Sequence, residues 1–239
     1  MISLAIANYN RYDMVLESFI QVMENDLVGE IIILDDYSDI EIYAKLWNII
    51  NGLNTNKVFL LRNAENKGAF LNKYEAVKRC TGDWVILLDC DNIIDNDYIE
   101  KVNALDKKQD TLYCPEVLFS LNKEKEQWNY SEFNKLVIDK NNVQQYIDNK
   151  LFGTWMNTGN FFFNRQEYID VVELSKIDKQ LSMLDSFYMN YLWLAKSNKM
   201  VVVPDLYYEH RIHDGSYYLK NKKRFAQIHK ELVKKVKEI

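Results

Sequence analysis

Short apolar segments alternate with amphipathic segments through the first half of the chain, and few folds accommodate that order. Four runs rich in β-branched residues predict strands: ISLAIA (2–7), EIIILDD (30–36), KVFLL (57–61) and DWVILLD (83–89). Helical spacing of apolar residues predicts a helix over 13–25, Asp39 can cap a helix over 40–51, and Gly68 opens a helix that runs to about residue 79. Strands joined by helices predict an α/β fold, in which helices cover both faces of a mainly parallel sheet.

The order of elements becomes less regular after about residue 120. Asp95 is expected to cap a helix that leads to a strand over 111–119, whereas residues 122–150 are polar and show no clear strand. The later predicted elements are a helix over 184–196, a strand in MVVVP (200–204) and a basic amphipathic helix over 219–239. The second half is therefore expected to lay loops and helices over one end of the sheet.

Length and composition limit the number of domains and the compartment. A chain of 239 residues, 48% of them hydrophobic, supports one substantial core. We predict one domain over 1–218, with halves at 1–119 and 120–218, followed by the helix at 219–239. Three cysteines without C-x-x-C spacing argue against a disulfide scaffold and a structural zinc site, so we expect the reducing cytoplasm.

The charge of the chain is unevenly distributed. The net charge is −5, but the segment from Leu219 to Ile239 carries eight Lys and Arg against two Glu, which leaves −11 for residues 1–218. An acidic body is a poor partner for nucleic acid, because nonspecific affinity comes from neutralising phosphates. We therefore predict no nucleic-acid partner.

Polar residues follow each of the predicted strands. The strand ends read ANYN, LDDYSD, RNAENKG and LDCDN, and ligands of such sheets bind beyond the carboxyl ends of the strands. Several of these residues are aspartates, which repel one another unless a cation lies among them. The sequence therefore predicts a ligand site with a cation at this edge of the sheet.

Asp89 and Asp91 are separated by one residue just past a strand. Their carboxylates can reach a single site, and oxygen ligands suit Mg²⁺ or Mn²⁺ together with diphosphate oxygens. A solvated turn, with Asp95 as a helix cap, explains the same residues equally well.

Asp36 ends the second strand, where its carboxylate could accept the N3–H of a uracil ring and would refuse cytosine. Alternatively it forms a turn that leads into the next helix. Gly68 opens a helix with Lys67 and Lys73 nearby, an arrangement that faces an anion or forms an ordinary loop. The chain has neither a P-loop nor a G-x-G-x-x-G motif.

Two residues of the second half could serve chemistry. Asp185 begins an apolar helix, where a carboxylate acts as a general base or only stabilises the helix dipole. His213, in HRIHDGSYY, is either structural or a metal ligand.

These residues, in this order, resemble family 2 glycosyltransferases of the GT-A fold. The segments that carry the resemblance are SLAIANYNR, IIILDDYSD and NKGAFLNKYEAVKRCTGDWVILLDCDNIID within residues 1–100, with GTWMNTGNFFFNRQEY, MLDSFYMNYL and YYEHRIHDGSYY matching in order and type. The family commonly has Glu-Asp where this chain has Leu184-Asp185, and Arg-Asn where it has Lys73-Tyr74.

The resemblance implies a role for each matching residue. The nucleotide site would be formed by Ala7, Tyr9, Arg11, Asp36, Lys73 and Asp89, with Tyr9 stacked on uracil and Asp36 accepting its N3–H. Asp91 and His213 would hold Mn²⁺ or Mg²⁺ against the diphosphate, and Asp185 would take the proton from the acceptor hydroxyl. Halves 1–119 and 120–218 would then bind nucleotide and acceptor.

The function implied is transfer of a sugar, with inversion, from a UDP-sugar to a hydroxyl of a glycan or lipid-linked acceptor in surface polysaccharide synthesis. Trp155, Asn157, Thr158 and Asn160 suit an acceptor sugar, although Trp155 is equally compatible with a core position, where we expect Phe161 to Phe163. The C-terminal helix would contact a membrane peripherally, the body or a second subunit.

Two other classes of protein remain open. Sugar nucleotidyltransferases also join a Rossmann-like sheet to acidic metal ligands, but they carry a glycine-rich loop after the first strand, and ANYNRYD has no glycine. A binding module that keeps the nucleotide site without turnover is compatible with Leu184.

Overall fold

The computed structural model describes residues 1–212 and 221–239, so His213 lies outside the described residues. The strands within them are β1 (Ile2–Asn8), β2 (Val28–Asp35), β3 (Val58–Arg62), β4 (Trp84–Asp89), β5 (Thr111–Phe119), β6 (Glu126–Asn129), β7 (Val137–Ile138), β8 (Phe162–Asn164) and β9 (Lys199–Glu209). The α-helices are α1 (Tyr12–Phe19), α2 (Ile40–Asn51), α3 (Ala69–Arg79), α4 (Asn96–Ala104), α5 (Lys150–Met156), α6 (Arg165–Glu173), α7 (Asp185–Ala195) and α8 (Lys222–Lys237).

The strands form one sheet in the order β3-β2-β1-β4-β8-β5-β9-β7, and β6 pairs with β5. β1 to β4 are parallel to one another, as the alternation of strands and helices predicts. β8 breaks that pattern, because it runs antiparallel between β4 and β5. The sheet of this mixed α/β fold is thus parallel from β1 to β4, in the half that is predicted to bind nucleotide. Antiparallel pairs appear where strands from the second half join the sheet.

Several predicted boundaries and caps differ from the structure. α1 ends at Phe19 rather than at residue 25, although Val22 and Met23 stay buried in the turns that follow. Asp39 precedes α2, but its side chain accepts no capping hydrogen bond. Asp95 does cap α4, because its carboxylate accepts the backbone N–H of Tyr98 at 3.1 Å.

The core of the second half is largely aromatic. Phe161 to Phe163 are buried, as predicted, and the Phe163 ring stacks on Tyr168 with centroids 4.4 Å apart. β8 consequently anchors the second half to the first through both backbone pairing and ring packing.

The C-terminal helix α8 packs on the body of the protein. Its apolar stripe is buried, and the members of that stripe are Phe225, Ile228, Leu232 and Val236. Lys237 Nζ lies 2.6 Å from an Asp148 carboxylate oxygen on the body. Of the three alternatives for this helix, the structure therefore shows packing on the body. None of the helices in the described residues combines the length and apolar composition that a membrane span needs.

Candidate active site

The strand ends of β1, β2 and β4 meet at one edge of the sheet. Ala7 pairs with Leu34 on one side and with Asp89 on the other, and Asn8 pairs with Asp35. This register brings the polar strand ends to the same level, above which a cleft of about 960 Å³ opens. The nucleotide-site residues predicted from sequence all line this cleft: Ala7, Tyr9, Arg11, Asp36, Lys73 and Asp89.

At the end of β2, Asp35 is fully buried and serves the loop that follows. Its carboxylate accepts the Asn8 amide and the backbone N–H of Ser38, each at 2.9 Å, and also the Ser38 hydroxyl. Arg62 Nε lies 3.6 Å from the same carboxylate. Asp35 therefore forms a turn of the Asx type. Such a turn is the alternative role predicted from the sequence for the next residue, Asp36.

Asp36 is also buried, and neutral groups supply its hydrogen bonds. Its Oδ1 accepts the Asn63 amide and the backbone N–H of Lys67, both at 2.9 Å. Its Oδ2 accepts the backbone N–H of Gly68 at 2.8 Å. Gly68 has φ 81°, a left-handed conformation that glycine adopts without steric cost and that aims its N–H at the carboxylate. Asp36 thus shapes the loop before α3 while still lining the cleft.

At the end of β4, a single lysine contacts two carboxylates. Lys73 Nζ lies 2.6 Å from Asp89 Oδ1 and 2.6 Å from Asp185 Oδ2. Burial alone would lower the pKa of Lys73, but the attraction of Asp185 and Asp89 raises it well above its ordinary value. Burial would raise the pKa of Asp89, and Lys73 reverses that effect and lowers it. Lys73 and Asp89 are therefore both charged at neutral pH in this arrangement.

Asp91 has a different cationic partner. Its carboxylate forms an ion pair with Arg11, from the loop after β1. Burial would lower the pKa of Arg11, but Asp91, Cys90 and Asp89 together more than offset that effect and raise it. The sequence predicts a divalent ion among the aspartates of this strand end. In the structure, the cations of Lys73 and Arg11 lie beside Asp89 and Asp91.

A metal ion would find few ready ligands in the protein itself. In residues 1–212 and 221–239, no three His, Cys, Asp or Glu side chains converge where they could hold one. His213, predicted as a metal ligand, is outside those ranges. His210, three residues earlier, lines the cleft, and its Nδ1 lies 3.1 Å from Asn92 Oδ1.

Asp185, the predicted base, is the first residue of α7, and it faces the same cleft as the strand ends. Gly159 forms the floor beside it. A Cβ added at Gly159 would lie 3.1 Å from Asp89 Oδ2 and 3.3 Å from Ser186 Oγ. The space around the carboxylates of Asp89 and Asp185 is therefore closely limited by the backbone that precedes β8.

The predicted acceptor residues are divided by the structure. Asn157 lines the cleft, but Trp155 is fully buried, with its ring 5.7 Å from Phe133 and 5.2 Å from Phe152. The predicted contact between Trp155 and an acceptor sugar is therefore wrong, because its ring has no surface in the cleft. The Thr158 hydroxyl meets the Tyr130 hydroxyl at 2.8 Å, and Asn160 accepts the backbone N–H of Asp89 at 2.8 Å. Thr158 also lines the cleft, whereas Asn160 holds the end of β4 through its hydrogen bond with Asp89.

Sequence reasoning did not assign Gly159 or His229 to the cleft. His229 comes from α8, where its ring packs edge-on against Phe187 with centroids 5.0 Å apart. It follows Phe225 by four residues, so helical spacing places it on the buried face and could have revealed it. Burial lowers the pKa of His229, although a hydrogen bond to the backbone of Gly153 partly opposes that. For Gly159, no signal in a single sequence marks its proximity to Asp89.

Comparisons with known proteins agree with this fold. The model of the family described as "Glycosyl transferase family 2" matches residues 3–172. The structure of S. aureus TarS 1-349 in complex with UDP-GlcNAc superposes with a TM-score of 0.68 at 14% identity, covering 98% of this chain and 66% of that one. The structure of GalNAc-T7 with UDP, GalNAc and Mn²⁺ gives 0.59 at 16% identity, covering 90% and 44%.

The chain thus spans about two thirds of the TarS 1-349 structure. No curated protein sequence gives a significant match. The structural matches confirm the α/β fold of GT-A type that the sequence predicts.

Proposed function

The chain belongs to glycosyl transferase family 2, and from that premise we propose that it transfers a sugar from a UDP-sugar to a hydroxyl of an acceptor. The observation that carries the proposal is that one cleft holds the β2 and β4 strand ends together with Asp185. A donor bound across the strand ends would bring its reacting carbon towards that carboxylate. Complexes of TarS with UDP-GlcNAc and of GalNAc-T7 with UDP support UDP as the nucleotide.

Uracil recognition is proposed for Asp36 and Tyr9. A carboxylate offers about four acceptor positions. Three of those of Asp36 are used by Asn63, Lys67 and Gly68, which leaves one on Oδ2 for the N3–H of uracil. Cytosine has an acceptor at N3 and would face that oxygen with repulsion. Tyr9 is 49% exposed beside the cleft and offers a ring face for the base.

The diphosphate is proposed to lie near Asp89, Asp91 and their cations. The oxygen donors there fit Mg²⁺ or Mn²⁺, which commonly take one or two carboxylates and complete their shell with phosphate oxygens and water. Asp91 would be the carboxylate ligand, and a bound ion would supply Lewis-acid stabilisation of the leaving group. Arg11 would contribute by facing the negative charge that develops on UDP, at a position where it is already held.

Proton transfer is proposed for Asp185. Acting as general base from the far side of the sugar, its carboxylate would accept the proton of the attacking hydroxyl, which gives in-line displacement with inversion. Asp185 is the first residue of α7, so its carboxylate lies at the N-terminal end of that helix beside the cleft.

The acceptor is proposed to enter at the opposite end of the cleft, where α5 and α8 line it with Asn157, Thr154 and His229. An amide, a hydroxyl and an imidazole suit the hydroxyls of a glycan or of a lipid-linked sugar. Synthesis of a surface polysaccharide is the role we propose for such a product.

A panel of UDP-sugars tests this proposal in two stages. The preferred donor should raise the unfolding temperature most, because binding to the native state stabilises it in proportion to occupancy. With that donor and Mn²⁺ or Mg²⁺, the protein should release UDP, and Asp185→Asn should bind the donor but lose about 1,000-fold in rate.

Asp97→Asn is the matched control, since Asp97 pairs with Lys101 on the surface of α4 away from the cleft. Binding without UDP release would identify a binding module instead. Pyrophosphate-dependent formation of UTP would identify a nucleotidyltransferase.

A further inference from the structure

We propose that Lys73 is a positioning residue, which holds the carboxylate of Asp185 in place for proton transfer and links it to the donor-side carboxylate of Asp89. This inference rests on the proposed function and adds to it. The resemblance to the family implies only a cationic contact between Lys73 and the nucleotide. The geometry points to a second task, because the lysine contacts the predicted base directly.

The position of the ammonium group is the first argument. Nζ of Lys73 lies 2.6 Å from an oxygen of each carboxylate, so the two carboxylates are separated by no more than twice that distance. The three residues come from α3, the end of β4 and the start of α7. One side chain therefore fixes the spacing between two elements that the chain joins only through almost a hundred residues.

The lack of other ionic partners is the second argument. Within residues 1–212 and 221–239, Asp185 forms its ion pair with Lys73 alone. The Asp185 side chain does not cap α7, because Leu184 occupies the N-cap position of that helix. A carboxylate on a short, rotatable side chain needs a partner to keep one orientation, and here Lys73 is that partner.

The packing around the ammonium is the third argument. The Lys73 side chain is 10% exposed, and Phe70 from the same helix packs against Tyr188 of α7 with ring centroids 5.2 Å apart. Gly159 closes the floor, because a Cβ there would lie 3.9 Å from Nζ and 3.1 Å from Asp89 Oδ2. The helices α3 and α7 therefore hold the base and its partner together.

The chemistry of lysine makes both tasks compatible. An ammonium has three N–H donors, and two point to Asp89 and Asp185, so the third is available for an oxygen of the donor. A guanidinium is a planar fork that favours two parallel bonds to one anion. Lys73 occupies a position where the family commonly has arginine. Its ammonium is thus suited to contact three groups that surround it.

A double-mutant cycle between Lys73 and Asp185 tests the proposal. The variants are Lys73→Met, Asp185→Asn and the pair together, and the measurement is UDP release at saturating donor. If Lys73 acts through Asp185, Lys73→Met should lower kcat about 100-fold in the wild type but only about threefold in the Asp185→Asn background. The KM for the donor should rise less than about tenfold in Lys73→Met, because most of the loss lies in the chemical step.

Equal losses in the two backgrounds would overturn the proposal, because Lys73 would then act independently of the base. If the residual rate of Asp185→Asn is too low to measure, Asp185→Glu takes its place, since it keeps a carboxylate but moves it by one methylene. Absence of turnover with every UDP-sugar in the wild type would instead refute the proposed function, so the two failures are distinguishable.

Two further variants separate positioning from folding. Lys78→Met removes a lysine from the exposed side of the same helix, where it pairs with Glu173, and should leave kcat within about twofold. Lys73→Arg keeps the charge and should recover part of the rate that Lys73→Met loses. If only Lys73→Met loses the circular dichroism spectrum of the folded protein, Lys73→Arg becomes the decisive variant. A wild-type kcat in Lys73→Arg would then overturn the argument from lysine geometry.

Discussion

The two acidic strand ends of the sheet look alike in sequence but are stabilised differently. At the end of β2, Asp35 and Asp36 are buried and receive hydrogen bonds mainly from amides, hydroxyls and backbone N–H groups. At the end of β4, Asp89 and Asp91 are paired with the cations of Lys73 and Arg11. Each end thus avoids the cost of a buried, unpaired carboxylate. Neutral donors predominate at the β2 end, where Arg62 lies 3.6 Å from Asp35, and charged groups predominate at the β4 end.

The difference indicates what each end can do. Backbone donors such as the N–H of Gly68 are fixed by the fold, so the β2 end presents a permanent shape, which suits selection of a flat base. Ammonium and guanidinium groups attract any anion, so the β4 end can exchange partners with a diphosphate. The β2 end is therefore suited to recognition of a base, and the β4 end is suited to binding groups whose charge changes during a reaction.

The largest expected effect is at the β4 end. Asp91→Asn should weaken metal-dependent UDP binding about 100-fold, on the scale of groups that support a metal site, because a neutral amide is a poor ligand for Mg²⁺ or Mn²⁺. Calorimetric titration with UDP, with and without Mn²⁺, measures this. An unchanged affinity would remove Asp91 from the metal site and leave its ion pair with Arg11 as a structural contact.

A smaller effect with a change of preference is expected for Asp36→Asn. An amide nitrogen in the cleft repels the N3–H of uracil and can donate to N3 of cytosine, so UDP affinity should fall about tenfold while CDP affinity rises. Competition between UDP and CDP for the site measures the preference. If the ratio of the two affinities stays constant, Asp36 does not read the base.

Asp35→Asn is the matched variant one residue earlier. Asp35 is fully buried and organises the turn at Ser38, so replacing one acceptor oxygen should lower the free energy of unfolding by about 1 to 3 kcal/mol. The preference for UDP over CDP should stay as in the wild type. Urea unfolding and the same competition assay measure both, and a changed preference would show that the two aspartates share the task of recognition.

The smallest effect concerns acid pH at the β4 end. The pKa of Asp89 is lower in the folded state than in the unfolded state, where it is about 4. Asp89 therefore stabilises the folded protein at pH values above the unfolded-state pKa. This contribution is lost as the pH falls through the folded-state pKa. Lys73, with a raised pKa, stays charged throughout this range. Asp89→Asn should therefore flatten the fall in unfolding temperature between about pH 5 and pH 3. An identical slope in the variant would contradict this assignment.

Local pattern was sufficient to predict the first half of the fold. The parallel order of β1, β2 and β4 follows from short apolar runs and helical spacing, and it brings Asp36 and Asp89 to one edge. β8 was not predicted, because three residues are too few for a pattern and its place is decided by pairing with β4 and β5.

The partners of the site residues could not be predicted in the same way. The contact of Lys73 with Asp185 depends on how α3 packs on α7, and no local pattern contains that information. The position of Trp155 could not be predicted for the same reason. An aromatic residue among polar ones is equally compatible with a sugar-binding surface and with the core, and its contacts with the rings of Phe133 and Phe152 appear only in the folded structure.

The interior location of β8 has a consequence for dividing the protein. Because Phe162 pairs with Ile86 on one side and with Tyr113 on the other, a strand from the second half completes the sheet of the first. A fragment that stops at residue 119 would expose the apolar edges of β4 and β5 to solvent, and such edges pair with other chains. Split versions of this protein should therefore precipitate when made separately and regain solubility only when both pieces are produced together.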